Sequence, residues 1–189
     1  MFRTLLATAG AIALLTNSSA ADEKETLEFK LVLKKESIAW PYEQGPKEFE
    51  AKLKDALKQK ARMLPKPPAL AITARVTNTG KEKVTIYVDG DANLLTMTLK
   101  GPGVVTAESG GAFTTDFRLP KAVALEPGKS HEIALTSLTD GFRRASRYIY
   151  PTSPGEYTLS ATYQLTNSEG AKGTLLKSGE AKFKVEEPK

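Results

Sequence analysis

The stretch Pro154-Gly155-Glu156-Tyr157-Thr158-Leu159-Ser160-Ala161-Thr162-Tyr163-Gln164-Leu165 decides how this chain is read. Pro154 fixes its own φ and Gly155 tolerates a positive one, so the stretch opens on a turn. After Glu156 the residues alternate without a break: Tyr157, Leu159, Ala161, Tyr163 and Leu165 on one face, Thr158, Ser160, Thr162 and Gln164 on the other. That is the period of a strand with one face buried and the other wet.

Outward from it, the same pattern recurs on both sides. Downstream, Asn167-Ser168-Glu169-Gly170 is a polar hairpin loop, Leu175-Leu176 resumes, and Ala181, Phe183 and Val185 make the last strand before a charged tail. Upstream, Leu70, Ile72, Ala74 and Val76 alternate up to Asn78-Thr79-Gly80-Lys81, which reads as a hairpin turn. Val84, Ile86 and Val88 come next, then Leu95, Met97 and Leu99, ended by Gly101-Pro102-Gly103. Val104 to Thr106 is a short apolar piece before Ser109-Gly110-Gly111, and Phe113–Leu119 reads as an edge strand closed by Pro120. Val123 and Leu125 precede a turn at Glu126–Lys129, and His131, Ile133 and Leu135 alternate after it. Leu138–Arg147 reads as irregular, or as one helical turn. Short strands punctuated by turns every eight to twelve residues predict an all-β domain over residues 69–189.

The segment in front, 21–68, reads as a strand over Thr26–Lys35 and one amphipathic helix over Pro46–Met63, both packed on that domain. Pro46 suits a first turn, and Phe49, Leu53, Ala56, Leu57 and Lys60 share a helix face opposite Lys47, Glu48, Lys54, Asp55 and Lys58. Residues 1–20 read as a secretory signal peptide: Arg3, then an apolar run from Leu5 to Leu15, then Ser18-Ser19-Ala20 before a cleavage point at Ala21. The run is shorter than the ~20 residues that span a bilayer, so no transmembrane segment is expected. The expected location is therefore periplasmic or extracellular. With no cysteine in 189 residues, disulfides, thiolate metal sites and cysteine nucleophiles are excluded. Without residues 1–20 the balance is 26 basic against 22 acidic residues, a mild and scattered +4 that argues for solubility rather than nucleic-acid binding.

Three pieces stand in a familiar order: Val76-Thr77-Asn78-Thr79-Gly80, Leu125-Glu126-Pro127-Gly128-Lys129 and Pro154-Gly155-Glu156-Tyr157. A Tyr just past a turn, opening a central strand, resembles the tyrosine corner of immunoglobulin-like sandwiches, where the hydroxyl bonds back to upstream backbone. Over about residues 69–165 the chain resembles bacterial immunoglobulin-like domains, and among them the bacterial intracellular proteinase inhibitor family. The whole chain after the signal peptide is also similar to uncharacterised secreted bacterial proteins. The resemblance implies an immunoglobulin-like antiparallel β-sandwich carrying one N-terminal helix, with Tyr157 as its structural anchor. It also implies a second functional reading, a protease inhibitor presenting an exposed loop within Gly101–Pro120. The signal peptide and the N-terminal helix depart from that family's pattern.

The candidates for chemistry are few. Asp89, Asp91 and Asn93 have the first three oxygen spacings of a calcium loop, but Leu94 stands where such a loop needs Gly and Lys100 where it needs Glu. Turn chemistry accounts for the same residues. His131 is the lone histidine and has no partner set for zinc or for general-base work. No nucleophile elbow, phosphate loop or paired carboxylates in a cleft occur, so neither an enzyme nor a cofactor is expected. Arg143, Arg144 and Arg147, interleaved with Phe142, Tyr148 and Tyr150, form the densest cationic and aromatic patch. It suits another envelope protein or an anionic polymer, or else pairs with Asp116, Asp140 and Glu156. Trp40 and Tyr42 around Pro41 read either as a stacking platform or as a plug for one end of the core. The expectation is an exported, non-catalytic binding or structural module whose oligomeric state the residues leave open.

Overall fold

The computed structural model describes residues 26–61, 63–110, 117–141 and 145–188. The predicted signal peptide, residues 21–25 and Phe142, Arg143 and Arg144 lie outside the described residues.

Over the described residues the chain is all-β with one helix. In order it forms β1 (Leu27–Leu33), β2 (Ser37–Ile38), α1 (Pro46–Lys58), β3 (Ala69–Asn78), β4 (Val84–Val88), β5 (Leu95–Lys100), β6 (Val104–Gly110), β7 (Lys121–Leu125), β8 (Ser130–Ser137), β9 (Thr139–Asp140), β10 (Ala145–Pro151), β11 (Gly155–Thr166), β12 (Lys172–Lys177) and β13 (Ala181–Val185). One sheet has the order β1-β3-β8 and a second, small one the order β6-β10-β9. The largest is built on β11, the strand that the alternation after Gly155 predicts. Along one flank β11 pairs with β13 at Gly155–Leu159 and with β12 at Thr162–Thr166. Along the other it pairs with β5 at Thr158–Tyr163 and with β4 at Thr166. β7 continues the sheet beyond β4, and β2 adds a parallel pair, to β13.

Inward side chains of all three sheets join one core. Ile72, Ala74 and Val76 come from β3, Tyr157, Leu159, Ala161, Tyr163 and Leu165 from β11, and Ile149 and Tyr150 from β10. The strict alternation in β11 is what lets every second side chain reach this core while Thr158, Ser160 and Thr162 stay at the surface side. α1 begins at Pro46 and drops Phe49 and Leu53 into the same core.

Four local expectations change. The helix stops at Lys58 rather than Met63, because Lys60 turns to positive φ (50°) and the backbone leaves the helical path. Asn78–Lys81 does not close a hairpin: β3 pairs with β1 and β8, whereas β4 pairs with β7 and β11, so the turn carries the chain from one sheet to another. The segment predicted irregular over 138–147 holds β9 and the start of β10. Of the predicted edge strand Phe113–Leu119, residues 113–116 lie outside the described residues and 117–119 are not in a strand.

Asn78 explains why the Asn-Thr-Gly and Pro-Gly motifs occur together. Its side chain is wholly buried, and its Nδ2 donates to the carbonyls of Glu82 (2.7 Å) and Leu125 (2.8 Å). Its Oδ1 accepts from Gly80 N–H at 2.9 Å. Its backbone N–H donates to Lys129 O, and its carbonyl accepts from Gly128 N–H, where φ is +75°. The turn after β3 and the Pro-Gly turn before β8 are thus two halves of one hydrogen-bonded knot.

Candidate functional site

Tyr157, the predicted structural anchor, lies at the start of β11. Tyr157 is 1% exposed and stacks on Phe183, with ring centroids 5.6 Å apart. Its hydroxyl shares its one proton between Ser153 O (2.6 Å) and Gly103 O (2.8 Å) and accepts weakly from Ser153 N–H (3.3 Å). A Cβ on Gly101 would meet the Tyr157 ring at 2.2 Å, so that glycine is required by the ring lying against it. Gly155 has φ +134°, as the turn reading of Pro154-Gly155 expects. Burial raises the Tyr157 pKa, and the backbone hydrogen bonds to Ser153 and Gly103 oppose that in part.

Of the cationic and aromatic patch, the described members are engaged inside the fold. Arg147 grips Asp140 through Nε to Oδ1 (3.0 Å) and Nη2 to Oδ2 (2.6 Å), and its Nη2 also donates to Met97 O at 2.6 Å. Asp140, with its side chain 2% exposed, accepts in addition from Met97 N–H. This two-pronged ion pair clasps β9, β10 and β5 together and raises the Arg147 pKa, chiefly through the hydrogen bond to Asp140. Tyr150 is fully buried and its hydroxyl donates to Pro65 O at 2.7 Å, tying β10 to the proline segment after α1. Tyr148 is half-buried, edge-on to Tyr150 at 6.3 Å.

Trp40 and Tyr42 sit against the helix. Trp40 is buried, donates Nε1–H to Gln44 O at 2.7 Å and meets Tyr42 and Phe49 edge-on. Tyr42 stacks flat on Phe49, with centroids 3.6 Å apart. Its hydroxyl is buried without a hydrogen-bond partner among the described residues, and burial pushes its pKa well up. Beside this cluster runs a groove of about 430 Å³ walled by Tyr42, Phe49, Leu53 and Pro65, with Lys52 and Lys66 also lining it. Sequence periodicity does not show the groove, because Pro65-Lys66-Pro67-Pro68 reads as a stiff linker after the helix or as a short polyproline recognition segment.

In the Asp89–Asn93 segment the side chain of Asn93 is committed to backbone groups rather than offered to a cation. Asn93 Oδ1 accepts from Gly90 N–H (2.8 Å), while Nδ2 donates to Tyr87 O (2.9 Å) and Gln164 O (3.1 Å). Asp89 has φ 63°, and its backbone hydrogen-bonds the Tyr163 phenol, whose pKa burial pushes up to about 12. β4 and β5 both run antiparallel to β11, so the segment is a jog between two strands on one flank rather than a reversal. Among the described residues no group of three or more His, Cys, Asp or Glu is placed to hold a metal ion. His131 lies opposite Val76 in the β3–β8 ladder, half-buried. Among the described residues no helix is long and apolar enough to cross a membrane.

A longer groove, about 960 Å³, runs beside β1 and faces β12, lined by Leu27, Phe29 and Leu31 on one wall and Leu175, Leu176 and Lys177 on the other. A third opening, of about 510 Å³, lies over Lys34, Lys35, Ala71 and Ala134. At the loop before β7, Phe117 and Leu119 are each 60% exposed and Arg118 between them is exposed too, while Arg118 O accepts from Asp91 N–H at 3.0 Å.

No family model and no curated protein matches the chain. Among solved structures it is similar to a β-glucosidase of Erythrobacter marinus, at 12% identity and a TM-score of 0.30, over 84% of this chain and 15% of that one. A likeness of that size bears on neither fold nor activity.

Proposed function

We propose that this chain is an exported, non-catalytic binding or structural module of the cell envelope, carried on an immunoglobulin-like sandwich. The sandwich reading is supported by the tyrosine-corner geometry of Tyr157 and by the packing of β1-β3-β8 and the β11 sheet into one core. Export rests on the signal-peptide pattern of residues 1–20. The observation that carries the binding role is the groove beside α1. It pairs an apolar, aromatic wall (Tyr42, Phe49, Leu53, Pro65) with two lysines, Lys52 and Lys66, and one acid, Glu43, while Lys52 also meets Glu48 at 2.9 Å. Concave apolar surfaces with a few charged groups are the usual form of a binding site. Another envelope protein or an anionic polymer offering negative charge beside apolar groups suits it. The test is retention of the mature chain on anionic polymers and on envelope extracts. The pair Lys52→Glu with Lys66→Glu is expected to lose most of the retained fraction, and unchanged retention overturns this surface.

A second reading, a protease inhibitor, is favoured by one observation. Phe117-Arg118-Leu119 stands out from the body while the Arg118 carbonyl is held to Asp91, the posture of a segment offered to an extended-substrate cleft. Residual activity of a protease panel decides it. Inhibition that disappears in Arg118→Ala supports the reading, and full residual activity at micromolar chain removes it.

A further inference from the structure

We propose that β1 is a self-pairing edge through which two copies of this chain join their β1-β3-β8 sheets into one. Among the described residues β1 ends that sheet, with β3 on one side only. Two bonds fix which backbone groups β3 uses: Thr79 N–H donates to Thr26 O and Lys34 N–H donates to Ala71 O. In an antiparallel ladder such bonded residues alternate, so the even-numbered positions of β1 face β3. The N–H and C=O groups of Leu27, Phe29, Leu31 and Leu33 therefore point to the open edge. The 960 Å³ groove lies along that edge, so the row of donors and acceptors has room beside it. Unpaired rows of this kind are templates for another strand.

Charge selects the occupant. Leu27-Glu28-Phe29-Lys30-Leu31 is its own complement when laid antiparallel about Phe29: Leu meets Leu, Glu28 meets Lys30 of the second copy, and Lys30 meets Glu28. Directly opposed unlike charges stabilise a strand pair and like charges oppose it. Centring on Glu28 or on Lys30 sets a charge against itself. Centring on Phe29 also matches the backbone, since Phe29 is among the residues whose donor and acceptor face outward. Within one copy Lys30 and Glu28 already touch at 2.7 Å on the exposed face, so the pair is in place at the surface where the partner arrives. An unlike strand lacks this reciprocity, whereas a second copy supplies it twice by symmetry.

The experiment measures the mass of the full, processed chain by light scattering across a concentration series, with amide exchange read alongside. The expected result is a concentration-dependent dimer in which the Phe29 and Leu31 amides gain protection. Glu28→Lys sets Lys against Lys at both symmetry-related contacts and is expected to weaken dimerisation about tenfold or more. Adding Lys30→Glu to it restores the pairing to near the original strength, which a merely structural or net-charge effect does not do. A chain that stays monomeric at high concentration overturns the proposal. So does a dimer indifferent to the single reversal, or one that the double reversal fails to rescue. A monomer retained on envelope extracts would overturn self-pairing while leaving the binding-module reading standing.

Discussion

The two ends of β11 are held by different means, and the difference shows what hydrogen bonds do alone and what they do on top of packing. At the Gly155 end the anchor is Tyr157, nearly inaccessible, with its ring packed on Phe183 and Gly101 and its hydroxyl shared between Ser153 O and Gly103 O. At the Thr166 end the anchor is Asn93, half-buried, whose amide gathers Tyr87 O, Gln164 O and Gly90 N–H and brings no apolar area with it. Both staples hold a loop to the same strand. One combines a ring's burial with two strong acceptors, and the other is hydrogen bonding near solvent, where water competes for the same groups.

Removing the ring should therefore break the comparison most. Tyr157→Ala takes away a buried aromatic and orphans two carbonyls, and a loss of about 3–5 kcal/mol is expected in chemical denaturation. Tyr157→Phe keeps the packing and costs about 1–2 kcal/mol, the share that belongs to the hydroxyl. If the two variants lose the same amount, packing is not what distinguishes the ends.

Next in size is a change that disturbs the ring without touching it chemically. Gly101→Ala places a Cβ where the Tyr157 ring already is, so ring or loop must move. Overpacking of this sort costs about 1–3 kcal/mol. The change in Tyr157→Phe should be smaller in a Gly101→Ala background, because a displaced hydroxyl has less to lose.

Asn93→Ala is expected to cost about 1 kcal/mol, at the low end of what removal of the Tyr157 hydroxyl costs and well below removal of its ring. The same substitution sharpens the reading of Asp89–Asn93. With Asn93 Oδ1 taken by Gly90 N–H, calcium in millimolar excess should leave the melting temperature of the unaltered chain where it was. A rise with calcium that vanishes in Asn93→Ala would return the segment to metal binding.

The legibility of each residue in the sequence depends on how it acts. Tyr157 and Asn78 act through neighbours close in sequence, Ser153 and Gly80, so their motifs show in a linear reading even though their longer bonds do not. Asn78 nevertheless suggests a hairpin, because the Asn-x-Gly chemistry of a turn is the same whether the chain stays in its sheet or leaves it. β10 is hidden for another reason. Arg147 and Asp140 interrupt the apolar alternation that marks a strand; the sequence offers their pairing only as one alternative for a three-arginine patch, and their 2.6 Å contact, with Asp140 buried and Arg147 partly exposed, picks it out. The groove beside α1 is invisible in the sequence because its walls come from residues 42, 49, 53 and 65, brought together by a helix and a proline bend.

The smallest effect near neutral pH, and the one that compares the two ends without mutation, is alkaline titration. Burial raises the pKa of Tyr157 at one end, and pushes that of Tyr163, bonded to the Asp89 backbone at the other, up to about 12. An unfolded tyrosine ionises near pH 10, so between roughly pH 10 and 12 the folded chain keeps a proton that the unfolded chain has released. The contribution is complete below about pH 10 and falls as pH rises toward the folded value, because stability drops wherever the unfolded state binds fewer protons. The tyrosinate absorbance of the folded chain should lag behind that of the chain in denaturant, and stability should decline over the same interval. Because Asn93 helps hold the Asp89 loop against Tyr163, Asn93→Ala should bring part of that ionisation to lower pH and leave Tyr157 unchanged. If Tyr163 ionises near pH 10 in the folded chain, the Asn93 end is open to water, and its staple is weaker than the geometry of its hydrogen bonds indicates.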